Sequence, residues 1–586
     1  MCGLIASFNV GNFNKSSVKI SLKHLAKRGP DSEGQWREQG IFLGFRRLSI
    51  IDLKSRSNQP MNSLCKKFVI VFNGEIYNFK ELRKDLLDKG VKFKTNSDTE
   101  VILNLFILEG EKMLMKLRGM FSFVIHNKKT KKSFIARDPY GIKPLYYGKT
   151  DSGLIFASQV KTILSLKLIE NMIDEQAIEL FKILGSVPEP NTFFQKIRSV
   201  KAGHFIWIKN GKITSYKKWC DIGRVWKFLN NKDSFKKNKI ESTLKKSLEE
   251  TVKYHLVSEV PVGIFLSGGI DSAVLTGLIT QSGFKDLIGI TIYFDEYIKT
   301  PLHELTAAKK IVEHFGIKHY ARKVTKKEFL NDLPKIMNAM DQPTIDGINT
   351  WYASKAAAEL KLKVVLSGVG GDELFFGYNH FKQIAKFESL LKIFRKVSFF
   401  RLIIILIGKL LHLIKNNSKF KFLNNYLDTI LNLWILKRSV SCIEDVNYSK
   451  KLKIFSYIQK SMGKLSKDSY LALAELEAKL YLRNQLLRDS DWASMSHGVE
   501  LRTPFVDFHL LNSLKKIIKF FPYYTKSYLL NSVLDKKLPI SILKRKKTGF
   551  AIPIKNWLVE VLSAKKINLS EFISKFCYSS LIKNGK

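Results

Sequence analysis

The segment Val260–Leu266 constrains this 586-residue chain more than any other. It is apolar almost throughout and runs into Ser267-Gly268-Gly269-Ile270-Asp271-Ser272, after which a helix is expected from Ala273. A strand without polar alternation belongs in a sheet covered on both faces, and such sheets are parallel with helical crossovers. Two more continuous runs follow, Ile288–Tyr293 and Val364–Leu366, separated by helical stretches at Ser272–Thr280, Thr306–Phe315 and Asn349–Leu360. This order predicts an α/β domain with a doubly wound parallel sheet. A glycine-rich turn between strand and helix presents backbone N–H groups to anionic oxygens. Asp271 would repel a phosphate unless a cation stood between them, so Mg²⁺ is expected there. The chain lacks Gly-x4-Gly-Lys-Ser/Thr, which excludes a Walker-type site.

The first 210 residues have a different rhythm. Short β-type runs at Phe68–Phe72, Phe121–His126, Ser133–Ala136, Leu154–Ala157 and His204–Ile208 are separated by turn signals, with helices near Phe79–Lys89 and Asp98–Glu109. This predicts α+β structure with stacked sheets. Polar, Lys-rich sequence at Asn230–Lys239 reads as a linker, giving domains at 1–210 and 239–560. A chain of this length exceeds what one core usually covers, so two or more domains are expected. Beyond Tyr378 the pattern is helical to the end, with a basic, apolar segment at about 381–438. Ordinary helical packing is the first reading of that segment, and peripheral contact with an anionic membrane the second. Its most apolar part, Phe399–Ile414, is broken by Arg401 and Lys409. It falls short of the roughly 20 apolar residues that span a bilayer.

Lys and Arg number 98 against 52 Asp and Glu, a formal charge of +46. A polyanion partner would explain this, but so does general Lys enrichment of solvated faces. With no Arg-rich block or nucleic-acid motif, the second reading is preferred and no nucleic acid is expected. Cys2, Cys65, Cys220, Cys442 and Cys577 are far apart and show no Cys-x-x-Cys spacing. That argues against a disulfide framework or zinc site. A reducing compartment fits, and the absence of a charged leader points to the cytoplasm.

Cys2 becomes chemically interesting if Met1 is removed. Its α-amine, with an ordinary pKa of about 7.7–8.0, would then lie within reach of its own thiol and could act as base. The thiolate could attack a carboxamide carbon, giving a thioester and ammonia. Asn73 and Gly74, in Asn73-Gly74-Glu75-Ile76-Tyr77-Asn78, offer side-chain and backbone N–H groups to the developing oxyanion. Arg47 suits an α-carboxylate and Asp98 an α-ammonium. A surface ion pair for Arg47 and a helix N-cap for Asp98 are the alternatives.

Taken together, Met1–Ile5, Arg28-Gly29-Pro30-Asp31, Arg46–Asp52, Asn73–Asn78, Ser97–Glu100 and Arg137–Tyr146 resemble the class II glutamine amidotransferases. The resemblance implies an N-terminal-nucleophile αββα sandwich, with Cys2 as nucleophile and Asn73 and Gly74 as oxyanion hole. It also implies glutamine binding by Arg47, Ile50, Asn73, Glu75 and Asp98. Gln159 departs from the family, which usually has Glu there, and falls in the inter-domain region.

Downstream, Ser-Gly-Gly-x-Asp-Ser resembles the ATP pyrophosphatase loop. With Gln342-Pro343-Thr344, Asn349-Thr350, Ser354–Ala356, Leu366–Phe375, Ser494-Met495, Glu500–Asp507 and Arg545–Phe550, the chain from about 239 to 560 is similar to glutamine-hydrolysing asparagine synthetases. That implies ATP bound by Phe265, Leu266, Ser267, Gly268, Gly269, Asp271, Ser272, Ile292, Ser367 and Gly368. Asp372, Glu373 and Tyr378 would meet the acceptor, Asp271 and Asp372 would hold Mg²⁺, and Lys547 would stabilise charge on adenylate and pyrophosphate. Helix capping is the plainer reading of Asp372 and Glu373. Two residues depart from the family: Val369 where it carries Asp or Glu, and Phe376 where it carries Gly. A carboxylate at 369 could deprotonate incoming ammonia, which an aliphatic side chain cannot.

The expected activity follows from the fusion. Glutamine is hydrolysed at Cys2, ammonia is channelled internally, and an acyl-adenylate made from ATP and aspartate is converted to asparagine, AMP and pyrophosphate. Amidation of another carboxylate, such as a uronic acid of a surface polysaccharide, is the second reading. A catalytically silent scaffold is the third, against which the intact Cys2, Asn73, Asp271, Asp372 and Lys547 count. Partners are small-molecule substrates, with homodimerisation left open.

Overall fold

The computed structural model describes residues 2–11, 13–228, 236–394, 429–440, 448–546, 552–554 and 556–557. Lys547, most of the basic segment 381–438 and most of the linker stretch 230–239 lie outside these residues.

The first half is built from two six-stranded sheets. One contains β1 (Gly3–Phe8), β2 (Ser32–Glu38), β3 (Ile41–Arg47), β8 (Tyr146–Lys149), β9 (Leu154–Ala157) and β10 (Ile197–Ser199), in the order β10-β8-β9-β1-β3-β2. The other contains β4 (Met61–Asn62), β5 (Phe68–Ile76), β6 (Gly119–Asn127), β7 (Lys132–Arg137), β11 (His204–Lys209) and β12 (Lys212–Lys218), in the order β12-β11-β7-β6-β5-β4. All pairings in both are antiparallel.

Side-chain alternation explains the stacking. Cys2, Leu4, Ala6 and Phe8 at β1 share one buried cluster with Val69 and Val71 of β5 and with Val124, Ile135 and Ile206. The opposite faces are covered by helices. Ile5 packs with Val18, Leu22 and Leu25 of helix Lys15–Leu25, while Ile70 and Phe72 join Leu82, Leu86, Ile102 and Phe106 of helices Phe79–Asp88 and Asp98–Glu109. The layers therefore run helix, sheet, sheet, helix. β5 extends to Ile76, so Asn73, Gly74 and Glu75 lie on the strand rather than after it.

The second half has a five-stranded parallel sheet. Its strands are β13 (Val262–Phe265), β14 (Ile288–Tyr293), β15 (Lys318–Lys323), β16 (Val364–Leu366) and β17 (Glu500–Arg502), ordered β15-β14-β13-β16-β17. Helices Lys237–His255 and Ile270–Gln281 bury one face against Ile264 and Leu366. Helices Lys326–Ala339 and Ile348–Glu359 cover the other, against Ile290, Ile292 and Val365. The chain leaves β13 toward β14 and β15, then returns to the other side for β16 and β17. The crevice beyond the carboxyl ends of β13 and β16 is thus the topological switch point, where open α/β sheets bind ligands.

Two local readings are corrected. The helix after the glycine-rich turn begins at Ile270 rather than Ala273. The region after Tyr378 is not helical throughout, because Glu500–Arg502 forms the edge strand β17. No described helix is long and apolar enough to cross a membrane.

Candidate active sites

The first site lies where β1 begins. Cys2 is 6% exposed, its N–H donates to Asn73 Oδ1 at 3.1 Å, and its carbonyl accepts from Arg28 Nε at 3.1 Å. Burial raises the thiol pKa, opposed by a hydrogen bond from the Leu48 backbone and by the charge of Arg47. Asn73 is fully buried and its Nδ2 has no hydrogen-bond partner among the described residues. A buried amide donor left unpaired costs about 1–3 kcal/mol unless a ligand takes it up. At Gly74 φ is +157°, and a Cβ would stand 2.1 Å from the Met120 carbonyl oxygen, so the close approach of β6 requires glycine.

Cys2, Arg47, Ile50, Gly74, Glu75 and Asp98 line one small cavity. Arg47 is not a surface ion pair. Its Nη1 donates to Lys54 O and Asn58 Oδ1 and its Nη2 to Ile51 O and Asp52 O, at 2.6–3.1 Å. This fixes the guanidinium against the loop that carries Ile50. Nor is Asp98 the N-cap: Ser97 caps the helix by accepting from Glu100 N, and Asp98 Oδ2 accepts from Ile76 N at 3.1 Å. Burial pushes Asp98 up to about 6. Burial, then Asp98 and Glu500, raise Glu75 well above the usual carboxylate range. Two buried carboxyls that strain to ionise side by side form a receptor for an ammonium group.

The second site is a cavity of about 600 Å³ at the switch point. Phe265, Leu266, Ile290 and Ile292 supply apolar lining, Ser267, Gly269–Ser272, Ser367 and Gly368 the two loops, and Asp346, Glu373 and Asp489 an acidic part. Gly268 has φ +63°, and a Cβ there would lie 2.7 Å from both Ala307 Cβ and Arg545 Nη1. A Cβ at Gly371 would stand 2.2 Å from Asp271 Oδ1, so the loops after β13 and β16 meet at Asp271. Lys526 joins them: its Nζ is 2.6 Å from both Asp271 Oδ2 and Asp372 Oδ1. Burial pulls this ammonium down, yet the two carboxylates outweigh it and its pKa is raised.

Glu373 is pushed up to about 7 by burial and by Asp372, and it accepts from the Tyr378 hydroxyl at 2.7 Å. Tyr378 also lines the cavity, as does Val369. Phe376 takes φ +53°, a conformation that explains the glycine of the resemblance, and packs edge-on against Phe381 and Tyr470.

Sequence reasoning missed Lys526 and Glu304, and named Arg545 only as the start of a motif, without a role. Lys526 carries no local motif and becomes visible only when helix Lys526–Ser532 meets both loops. Arg545 Nη1 donates to Ser267 O at 3.2 Å, on the rim of the glycine turn. Glu304 lines the cavity with an Oε2 that has no hydrogen-bond partner among the described residues, and burial pushes it up to about 8 despite the nearby charge of Arg545.

Buried ion pairs connect the halves. Arg28, which holds the Cys2 carbonyl, donates from Nη1 and Nη2 to Asp491 Oδ2 and Oδ1 at 2.7 and 3.0 Å. Arg118 Nε donates to Asp507 Oδ2 at 2.7 Å. Asp341 accepts from the backbone N–H groups of Val160 and Lys161 beside buried Gln159, placing that departure at the contact between halves.

A profile described as glutamine amidotransferase domain matches residues 1–220, and one described as asparagine synthase matches residues 243–571. Asparagine synthetase (glutamine-hydrolyzing) 1 of Bacillus subtilis (strain 168) is 30% identical over 579 residues, covering 95% of this chain and 88% of that protein. The chain belongs to the glutamine-hydrolysing asparagine synthetase family. Asparagine synthetase B (glutamine-hydrolyzing) of Escherichia coli (strain K12) is 29% identical over 409 residues, 67% of each chain. The family also reaches a relative of another name, amidase chry2 of Gibberella zeae, 28% identical over 65% of this chain and 60% of that one. As a family member the chain is an ATP-dependent carbon–nitrogen ligase with glutamine as amido donor.

Proposed function

We propose that the protein hydrolyses glutamine at Cys2 and passes the ammonia internally to an acyl-adenylate formed from aspartate and ATP, releasing asparagine, AMP and pyrophosphate. The observation that carries this reading is Cys2 bonded through its N–H to Asn73 Oδ1, with Asn73 Nδ2 buried and without a hydrogen-bond partner among the described residues, in a chain whose other half holds a nucleotide-sized crevice. With Met1 removed, the Cys2 nitrogen is an α-amine and takes the thiol proton as sulfur attacks the carboxamide. Asn73 Nδ2 and the Gly74 N–H receive the oxyanion. Arg47 orients the glutamine carboxylate, Asp98 and Glu75 the ammonium, and ammonia leaves as the thioester forms. Water then releases glutamate.

In the crevice the apolar lining takes adenine and the glycine turn takes the phosphates. The acceptor carboxylate attacks the α-phosphorus, pyrophosphate departs toward Arg545 and Lys526, and ammonia displaces AMP. Arg28–Asp491 and Arg118–Asp507 are buried at the contact between the halves, and a dry passage there would matter because ammonium is unreactive and an adenylate hydrolyses. No group of three or more His, Cys, Asp or Glu is placed to hold a metal ion among the described residues. Asp271 and Asp372, each 2.6 Å from one Lys526 ammonium, suit Mg²⁺, which binds through one or two carboxylates and otherwise through phosphates and water. When bound there it would neutralise phosphate charge. Lys547 is assigned the adenylate charge from the resemblance alone.

Val369 favours a second reading, amidation of a different carboxylate. A further cavity of about 250 Å³, lined by Trp434 and Arg438, shares Asp346 and Tyr481 with the main one and leaves room for a longer acceptor. The deciding assay supplies glutamine, MgATP and aspartate and measures glutamate, AMP, pyrophosphate and asparagine. Glutamate without asparagine would replace aspartate as acceptor. Cys2→Ala should abolish glutamate release while ammonia-driven synthesis persists, and retained glutamine use would defeat the mechanism.

A further inference from the structure

Arg502 belongs to the synthetase half by sequence and to both sites by geometry. It is fully buried on edge strand β17. Its Nε donates to Glu500 Oε1 at 2.6 Å, and its Nη1 to the carbonyls of His255 and Val257 at 2.8 and 2.6 Å. The remaining nitrogen, Nη2, makes no hydrogen bond among the described residues and lies 3.6 Å from Glu75 Oε2. Glu75 lines the proposed glutamine pocket, and its Oε1 is also buried without a hydrogen-bond partner among the described residues. In the other direction the Arg502 carbonyl accepts from the backbone N–H of Ser367 at 2.8 Å. Ser367 lines the nucleotide cavity. One residue thus touches the floor of one pocket with its side chain and the loop of the other with its backbone.

We propose that Arg502 is a positioning residue that couples the two sites: its guanidinium sets the orientation of Glu75 toward glutamine, and its backbone makes that setting respond to nucleotide at Ser367. This inference rests on the proposed function and goes beyond it by naming the link. Three of the four guanidinium contacts are short and fixed, so a displacement of the strand moves Nη2 with it. A lysine keeps the charge but lacks the planar fork that reaches Glu500, two carbonyls and Glu75 together. Coupling requires that nucleotide binding and glutamine binding favour the same arrangement, and the effect is reciprocal in affinity.

The experiment measures glutamate release against glutamine concentration for wild type and Arg502→Lys, with and without Mg²⁺ and α,β-methylene ATP. Wild type should show a glutamine KM changed at least about threefold by the analogue. Arg502→Lys should raise KM about tenfold with kcat within about threefold, and the analogue's effect should disappear. A wild-type KM in the variant, or no analogue effect on wild type, overturns the proposal. So does an equal loss of glutamine-driven and ammonia-driven synthesis, which would mark a purely structural role. If Arg502→Lys does not fold, as read by thermal melting, the analogue's effect on wild type decides. A wild type whose glutamate release is absent, or unaffected by Cys2→Ala, would sink the glutaminase reading instead.

Discussion

The two sites are built on opposite plans. The glutamine pocket is small, and Arg47 and Asp98 in it are held largely by backbone. Arg47 is fixed by three carbonyls and one side-chain oxygen, and Asp98 by the Ile76 N–H. The nucleotide cavity is about 600 Å³, and its opposing charges meet at a side chain from a distant helix, Lys526, between Asp271 and Asp372. A pocket that only orients a small amide is preorganised on antiparallel strands. A crevice that takes a triphosphate must rearrange its charges as phosphate and cation enter. Binding geometry is therefore stored in the first site and assembled by ligands in the second.

The comparison can be broken at its joint. Asp491→Asn should cost about 3–5 kcal/mol of stability, the range for leaving one member of a buried pair uncompensated. It should uncouple glutamate release from AMP formation, as seen by thermal melting and product stoichiometry. A melting point within a degree of wild type would show that Arg28 finds another partner. Asn73→Ala removes a single donor of the first site and should lower glutaminase kcat by about 10²–10³. Ammonia-driven synthesis should persist, and an equal loss of both would deny the division of labour.

Phe376 tests the second site's tolerance of rearrangement. Phe376→Gly relieves a left-handed residue worth about 1–2 kcal/mol but deletes a buried ring worth about 3–5 kcal/mol. The net expected loss is about 2 kcal/mol by denaturant titration, and a gain would show that strain outweighs packing. The smallest effect is that of pH. Because Asp98 ionises near 6, its attraction for the glutamine ammonium is present above that pH and fades below it. Glutamine KM should rise by up to about tenfold per unit as pH falls through 6. Asp98→Asn should have a high KM and a flat profile, and a sloped one would assign the titration elsewhere.

The same contrast explains what was legible in the sequence. Strands β9, β14 and β16 are readable to the residue, since continuous apolar runs between turn residues leave few alternatives. β17 was not: Glu500-Leu501-Arg502 looks polar because its two charged residues neutralise each other inside the protein. In the glutamine pocket the candidate residues are brought together as the motifs imply, since short antiparallel connections keep them close. In the nucleotide crevice the glycine loops and the Arg545 motif are legible, but Lys526 arrives from more than 150 residues beyond Asp372. Only tertiary packing reveals such partners. Arg28 was read as part of a motif, but its hold on both Cys2 and Asp491 could not be inferred from spacing.

The central claim is that nitrogen freed at Cys2 reaches the adenylate without entering solvent. Its most direct test supplies amide-¹⁵N glutamine, MgATP and aspartate with an excess of unlabelled ammonium and follows the amide nitrogen of the product by mass spectrometry. Product labelled far above the isotopic composition of bulk ammonium, with the label lost in Cys2→Ala, is the predicted result. Label diluted to the bulk value would contradict internal transfer and leave two independent sites on one chain.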